Sequence, residues 1–184
     1  MPLPDRNFDG FALYAALDAR RREQTLSWNA LARQVWDLSA ALNAARPDDH
    51  SFSTSAIASL RTRGNTSCQH AVLLLWWLNA TTEDFVTPED FVTDPATGTA
   101  GVELPRCDDA HRLRWNLGRL YATLDAARTR RGATWARTAA RLGCSPGQLT
   151  GLRTARYSTN MRLAMTITQA LRRPAAEFVY AADW

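Results

Sequence analysis

At 184 residues with 46% hydrophobic positions, the chain has room for one large domain or two small ones and is too apolar to be disordered. Its longest apolar run, residues 71–78, is far too short to cross a bilayer, and the start, MPLPDRNFDG, lacks both the basic end and the apolar core of a signal peptide. All 22 basic residues are arginine, and the net charge of +4 conceals an asymmetry: residues 110–173 hold 13 arginines against one acid, residues 8–86 seven against eight. A basic half beside a near-neutral one points to a polyanion as partner of the second half. The arginine usage fits the codon bias of a GC-rich genome equally well; either way, guanidinium forks suit phosphate and guanine. Cys68, Cys107 and Cys144 are odd in number and far apart, which implies neither a disulfide framework nor a zinc finger. A reduced, cytoplasmic protein is expected, with no membrane association.

In chain order, the first predicted helix runs from near Phe11 to Arg22, with Leu13 and Leu17 on one face. Its sequence with the following residues, LYAALDARRREQTLSW at 13–28, recurs as LYATLDAARTRRGATW at 120–135, an offset of 107. SAIASLRTR at 55–63 likewise matches GQLTGLRTA at 147–155, and Asp84-Phe85-Val86 matches Glu177-Phe178-Val179. The fold class expected is therefore all-α: two tandem, duplicated units of about five helices each, over 8–86 and 114–184, with a linker at 87–113.

Ser27 caps the second helix of the first copy, and Leu31, Val35, Leu38 and Leu42 predict that this helix runs on for extra turns. A polar loop from Asn43 to Phe52 follows, so this copy carries 15 residues more than the second between equivalent points. The next helix starts at Ser53, with Ile57 and Leu60 inside and Thr54, Ser55, Ala56 and Ser59 outside. Thr66 and Gln69 have capping-box spacing at the start of the fourth helix. Trp76 and Trp77, being adjacent, cannot both enter one small core; one is expected against the other copy, the inserted helix or a second subunit. The linker is rich in Pro, Gly and acids. As a flexible chain it spans roughly 28 Å, and adjacent DNA half-sites lie about 34 Å apart, so one chain could imitate a dimer.

In the second copy, Leu120 and Leu124 face inward on a helix from Leu117 to Arg130, and a fourth helix is expected to begin near Ser158. Between them lies TWARTAARLGCSPGQLTGLRTAR, residues 134–156. Thr134 caps one short helix, Gly143 ends it, Ser145 caps the next with Pro146 in its first turn, and Leu149 and Leu152 bury one face. This leaves Gly147, Gln148, Thr150 and Gly151 facing outward, with Arg153 and Arg156 beyond.

The spacing of Thr134, Ala139, Leu142, Gly143, Ser145, Leu149 and Leu152 resembles the helix-turn-helix of the Cro and lambda-repressor type. Trp135 departs from a common glutamine, and Thr138 from a core leucine. The resemblance implies a bacterial transcriptional regulator on the nucleoid, reading double-stranded DNA in the major groove. It implies Gly147, Gln148, Thr150 and Gly151 as base-reading positions, with Thr54, Ser55, Ala56 and Ser59 in the first copy. Arg137, Arg153, Arg156, Arg61 and Arg63 would hold phosphates. The inserted segment either re-aims the first copy's reading helix or retires it. The alternative reading is an interaction module, in which the first repeat makes a homodimer or binds a protein partner. His50, His70 and His111 have no metal spacing, and no nucleophile elbow, phosphate loop or carboxylate pair is evident; no catalytic residue, metal or cofactor is expected.

Overall fold

The computed structural model describes residues 8–86, 102–154 and 159–184. Asp9 opens the first helix, α1 (Gly10–Glu23), where its carboxylate accepts from the Ala12 N–H at 2.9 Å and satisfies a first-turn donor. Leu13 and Leu17 form its buried face. Near its end Arg21 donates to the Asp18 carboxylate at 2.6 Å and to the Leu26 carbonyl at 2.8 Å. Ser27 then caps α2 (Trp28–Asp37), and Trp28 stacks on Tyr14 with ring centroids 5.3 Å apart, beside the Arg21 guanidinium.

The second helix does not run on as one piece. The chain turns at Leu38 and Ser39 and restarts as α3 (Ala40–Ala45). Asn43, expected in a loop, lies within α3, and its amide donates to the Trp36 carbonyl at 2.8 Å. That bond holds the bend, and it brings the Leu42 N–H to the Asp109 carbonyl at 3.0 Å. After the loop comes α4 (Thr54–Arg63), which ends at the left-handed Gly64. A Cβ on Gly10 would lie 2.1 Å from the Gly64 carbonyl oxygen, so glycine is what lets α1 cross α4 this closely.

The central helix is α5 (Cys68–Leu78), buried at Cys68, Gln69 and every position from Ala71 to Leu75. Its cap is Ser67, which accepts from the His70 N–H at 3.1 Å, so the Thr66–Gln69 capping box does not form. Gln69 turns inward instead. A 3-10 turn (Glu83–Phe85) returns Phe85 to the core.

The same local devices recur in the second half. In α6 (Leu117–Arg130), Asn116 caps, Leu120 and Leu124 are buried, and Arg128 bonds both Asp125 and the Ala133 carbonyl. Thr134 caps α7 (Trp135–Leu142), where Trp135 stacks on Tyr121, again at 5.3 Å. Next come α8 (Pro146–Gly151) and α9 (Met161–Leu171), which Asn160 caps; Ser158, where its start was expected, lies outside the described residues. Asn79 after α5 and Arg172 after α9 both take the left-handed conformation, at φ 54°.

Two four-residue strands interrupt the helical plan. β1 (Arg112–Trp115) pairs antiparallel with β2 (Val179–Ala182), with Trp115 opposite Val179, so the linker boundary expected at 113 falls inside a strand. At the matching place in the first half the described residues show a bridge, Phe8 with Val86. The chain is thus mostly helical with one small sheet among the described residues.

The halves pack directly on each other. Ser67 and Asn160 form an antiparallel bridge in which the Cys68 N–H donates to the Thr159 carbonyl and the Met161 N–H to the Thr66 carbonyl, each at 2.9 Å. Gln69, 2% exposed, donates to the Trp115 carbonyl at 3.1 Å and accepts from its N–H at 2.9 Å. These bonds satisfy polar groups that would otherwise be buried at a cost. One cluster of buried apolar side chains, including Leu74, Leu113 and Met165, runs through both halves. The described residues of the two halves are therefore held together by their own contacts.

Candidate nucleic-acid interface

α7 ends where Gly143 adopts φ 67°, a conformation that costs glycine little. Two residues later Ser145 restarts the helix: its hydroxyl accepts from the Gln148 N–H at 3.2 Å, and the Gln148 side-chain oxygen accepts from the Ser145 N–H at 2.8 Å. Leu149 and Leu152 are buried, while Gly147, Gln148 and Thr150 are exposed and Gly151 is half-buried. The reciprocal cap is a second role for Gln148 that its position as an outward residue concealed. Its carboxamide N–H2 stays available, and its oxygen keeps a second lone pair. The Thr150 hydroxyl donates back to the Pro146 carbonyl at 3.1 Å. Arg153 is exposed at the end of this element; Arg156 lies outside the described residues.

In α4, Ser55 is exposed and Thr54 and Ser59 are half-buried, but Ala56 is only 4% exposed. Ala56 is therefore withdrawn from the base-reading positions. The reason is the width of the apolar stripe: Ala56, Ile57 and Leu60 together face inward, and a methyl group reads as polar-face or core with equal ease. Ser59 is tied to Arg63, whose guanidinium donates to its hydroxyl at 2.7 Å. Arg61 and Arg63 are both exposed.

A cleft of about 630 Å³ lies between α4 and the starts of α5 and α9. Ser55, Ser59 and Arg63 come from one half; Asn160 and Arg162 come from the other. Asn65 links the two walls, because its side-chain oxygen accepts from the Thr66 N–H at 3.0 Å and from the Arg162 N–H at 3.5 Å. Arg162 and Asn65 escaped sequence reasoning because only the docking of the halves brings them to α4. The sole signal was the position of Arg162 in the first turn of its helix. His70, also on this wall, has its proton affinity lowered by desolvation and by the nearby Arg114 charge, which favours the neutral ring.

Burial pushes the Cys68 thiol up to about 12, and Cys107 rises to about 11 from desolvation and the Asp108 charge. Thiols shifted upward are poor nucleophiles. Among the described residues no group of histidine, cysteine and carboxylate side chains has the arrangement of a metal site, and no helix is long and apolar enough to cross a membrane.

No protein-family model matches the chain, and no curated protein or solved structure is significantly similar to it. The arrangement has to be read on its own chemistry. Exposed arginines flank α4 and α8, which carry small polar side chains and are the helices before α5 and α9, whose starts are paired.

The inserted segment has a definite place in this arrangement. Arg112, 3% exposed, donates to the Asp49 carboxylate and the Asn43 side-chain oxygen, each at 2.8 Å, and lies over the Trp36 ring at 4.3 Å. The Arg112 guanidinium and, secondarily, Arg46 hold the Asp49 carboxyl below its usual range. The insertion thus clamps β1, which belongs to the second half.

Proposed function

We propose that this chain is a sequence-specific double-stranded DNA-binding protein, a transcriptional regulator built as two tandem helix-turn-helix units that act as a dimer within one polypeptide. One observation carries the reading: the reciprocal bridge at Ser67 and Asn160. These residues cap equivalent helices of the two repeats, and each half donates and accepts the same bond. Such reciprocity is the signature of a local two-fold axis, and a two-fold reader suits two half-sites related by the same operation. In chain order α4 is the helix before Ser67 and α8 the helix before Asn160, so the proposed reading helices hold corresponding places in the repeated sequence.

Within this reading Gln148, Thr150, Gly147 and Gly151 meet base edges on one side, and Thr54, Ser55 and Ser59 on the other. Arg137, Arg153, Arg156, Arg61 and Arg63 hold phosphates and fix register. The clamp on Arg112 favours an insertion that orients the first repeat over one that retires it. The interaction-module alternative draws less support, because Trp76 and Trp77 are half-buried and the Trp77 indole N–H is engaged by Gln34 at 3.1 Å.

The test is fluorescence anisotropy of a random-sequence duplex across a salt series. Binding at low salt should weaken steeply, with a slope of about −0.9 per neutralised phosphate. An absence of binding at low salt would remove the proposal.

A further inference from the structure

The two repeats differ at one cleft, and the difference has the form of a binding site. In the first repeat Trp77 on α5 reaches α2, where Gln34 accepts from its indole N–H at 3.1 Å. The equivalents in the second repeat, at the recurring offsets, are Ala170 and Arg141. A cavity of about 180 Å³ lies there, bordered by α6, α7 and α9. Leu124, Leu142 and Leu171 line its apolar part, and Arg131, Arg137 and Arg141 stand around it. At the matching positions the first repeat has Gln24, Ala30 and Gln34, none of them charged.

We infer that this cleft on the second repeat receives an aromatic side chain from an acidic segment of a protein partner. The first repeat indicates the shape, since there the position matching Ala170 carries a half-buried indole that reaches across to α2. An apolar cavity of about 150 Å³ can hold a benzene ring, so the volume suits one aromatic group. The charge indicates the surroundings: where Gln34 accepts from an N–H, Arg141 can only donate, and a carboxylate is the complementary group. Arg131 and Arg141, neither of them among the phosphate contacts proposed above, are exposed and form no ion pair among the described residues, which leaves two guanidinium groups for such a partner. A duplex phosphate would satisfy the arginines but would leave the leucine-lined space empty, so the peptide is the better fit.

The probe is a fluorescein-labelled peptide of 12 residues carrying one phenylalanine between paired aspartates, with an alanine-for-phenylalanine control. The full chain should bind the first peptide at least about tenfold more tightly than the control. Ala170→Trp fills the cleft from within and should abolish binding; circular dichroism reports whether it folds. Arg131→Gln with Arg141→Gln, two exposed positions, gives a second test and should weaken binding by about tenfold or more. Equal binding of both peptides would overturn the inference. So would peptide binding by the Arg131→Gln, Arg141→Gln variant as tight as by the wild-type chain.

Discussion

Ser67 and Asn160 face each other across an antiparallel bridge, each capping the helix that follows it. This contact joins the halves at equivalent points, and it rests on backbone bonds of 2.9 Å in both directions. Gln69, in the first turn of the helix that Ser67 caps, reinforces it through the backbone of Trp115. The proposed function depends on this arrangement being rigid, so its energetics are the first thing to test.

Replacing Gln69 with Leu leaves the Trp115 N–H and carbonyl without these partners in a buried setting. Each unsatisfied group costs about 1–3 kcal/mol, so Gln69→Leu should destabilise the chain by at least that much. Urea unfolding measures it directly. A wild-type midpoint would mean that the Gln69 bonds contribute nothing to holding the halves together.

Gln148 has two roles that substitutions separate. Gln148→Ala removes the side chain that closes the capping box and should lower stability by about 0.5–2 kcal/mol, the range for a lost cap. It should also cost about 1–3 kcal/mol of discrimination at one base. Gln148→Glu keeps the cap geometry, so its melting temperature should match wild type while its preferred base changes. Unchanged base preference in both variants would leave Gln148 as a cap only.

Arg153 tests phosphate binding. Arg153→Gln should weaken all duplexes alike and reduce the magnitude of the salt slope by about 0.9. A slope equal to wild type would remove Arg153 from the backbone contacts.

Asp49 gives a pH dependence with a definite sign. Its carboxyl is held below the ordinary aspartate value of 3.8, first by Arg112 and then by Arg46. A depressed value in the folded state means that the unfolded chain takes up the proton first, so the ion pair stabilises fully above about pH 4 and its contribution falls as pH drops further. The stability gap between wild type and Asp49→Asn should be constant near neutrality and should narrow below pH 4. A gap unchanged on acidification would mean that the charge of Asp49 contributes nothing.

What could be read from the sequence was local. The caps at Ser27 and Thr134, the turn at Gly143 and the leucine faces of α1 and α6 depend on spacing within one or two turns, and the structure has them. The break between α2 and α3 was hidden because Leu38 and Leu42 continue the helical period across it, while the bond that holds the bend comes from the Asn43 side chain. β1 and β2 are four residues each, too short for an alternating pattern to register, and their partners lie at opposite ends of the second half. Ala56 failed as an exposed residue because equivalence to Gln148 in sequence does not carry over to a longer helix with a wider buried face. The cleft shared by Arg63 and Arg162 exists only through packing between halves.

The most direct test of the single-chain dimer is selection from random duplex DNA with the full-length protein, followed by sequencing of the enriched pool. The account predicts two dissimilar half-sites at one fixed spacing near a helical turn, since α4 and α8 carry different side chains at corresponding positions of the repeated sequence. A single short half-site, or half-sites at variable spacing, would contradict it.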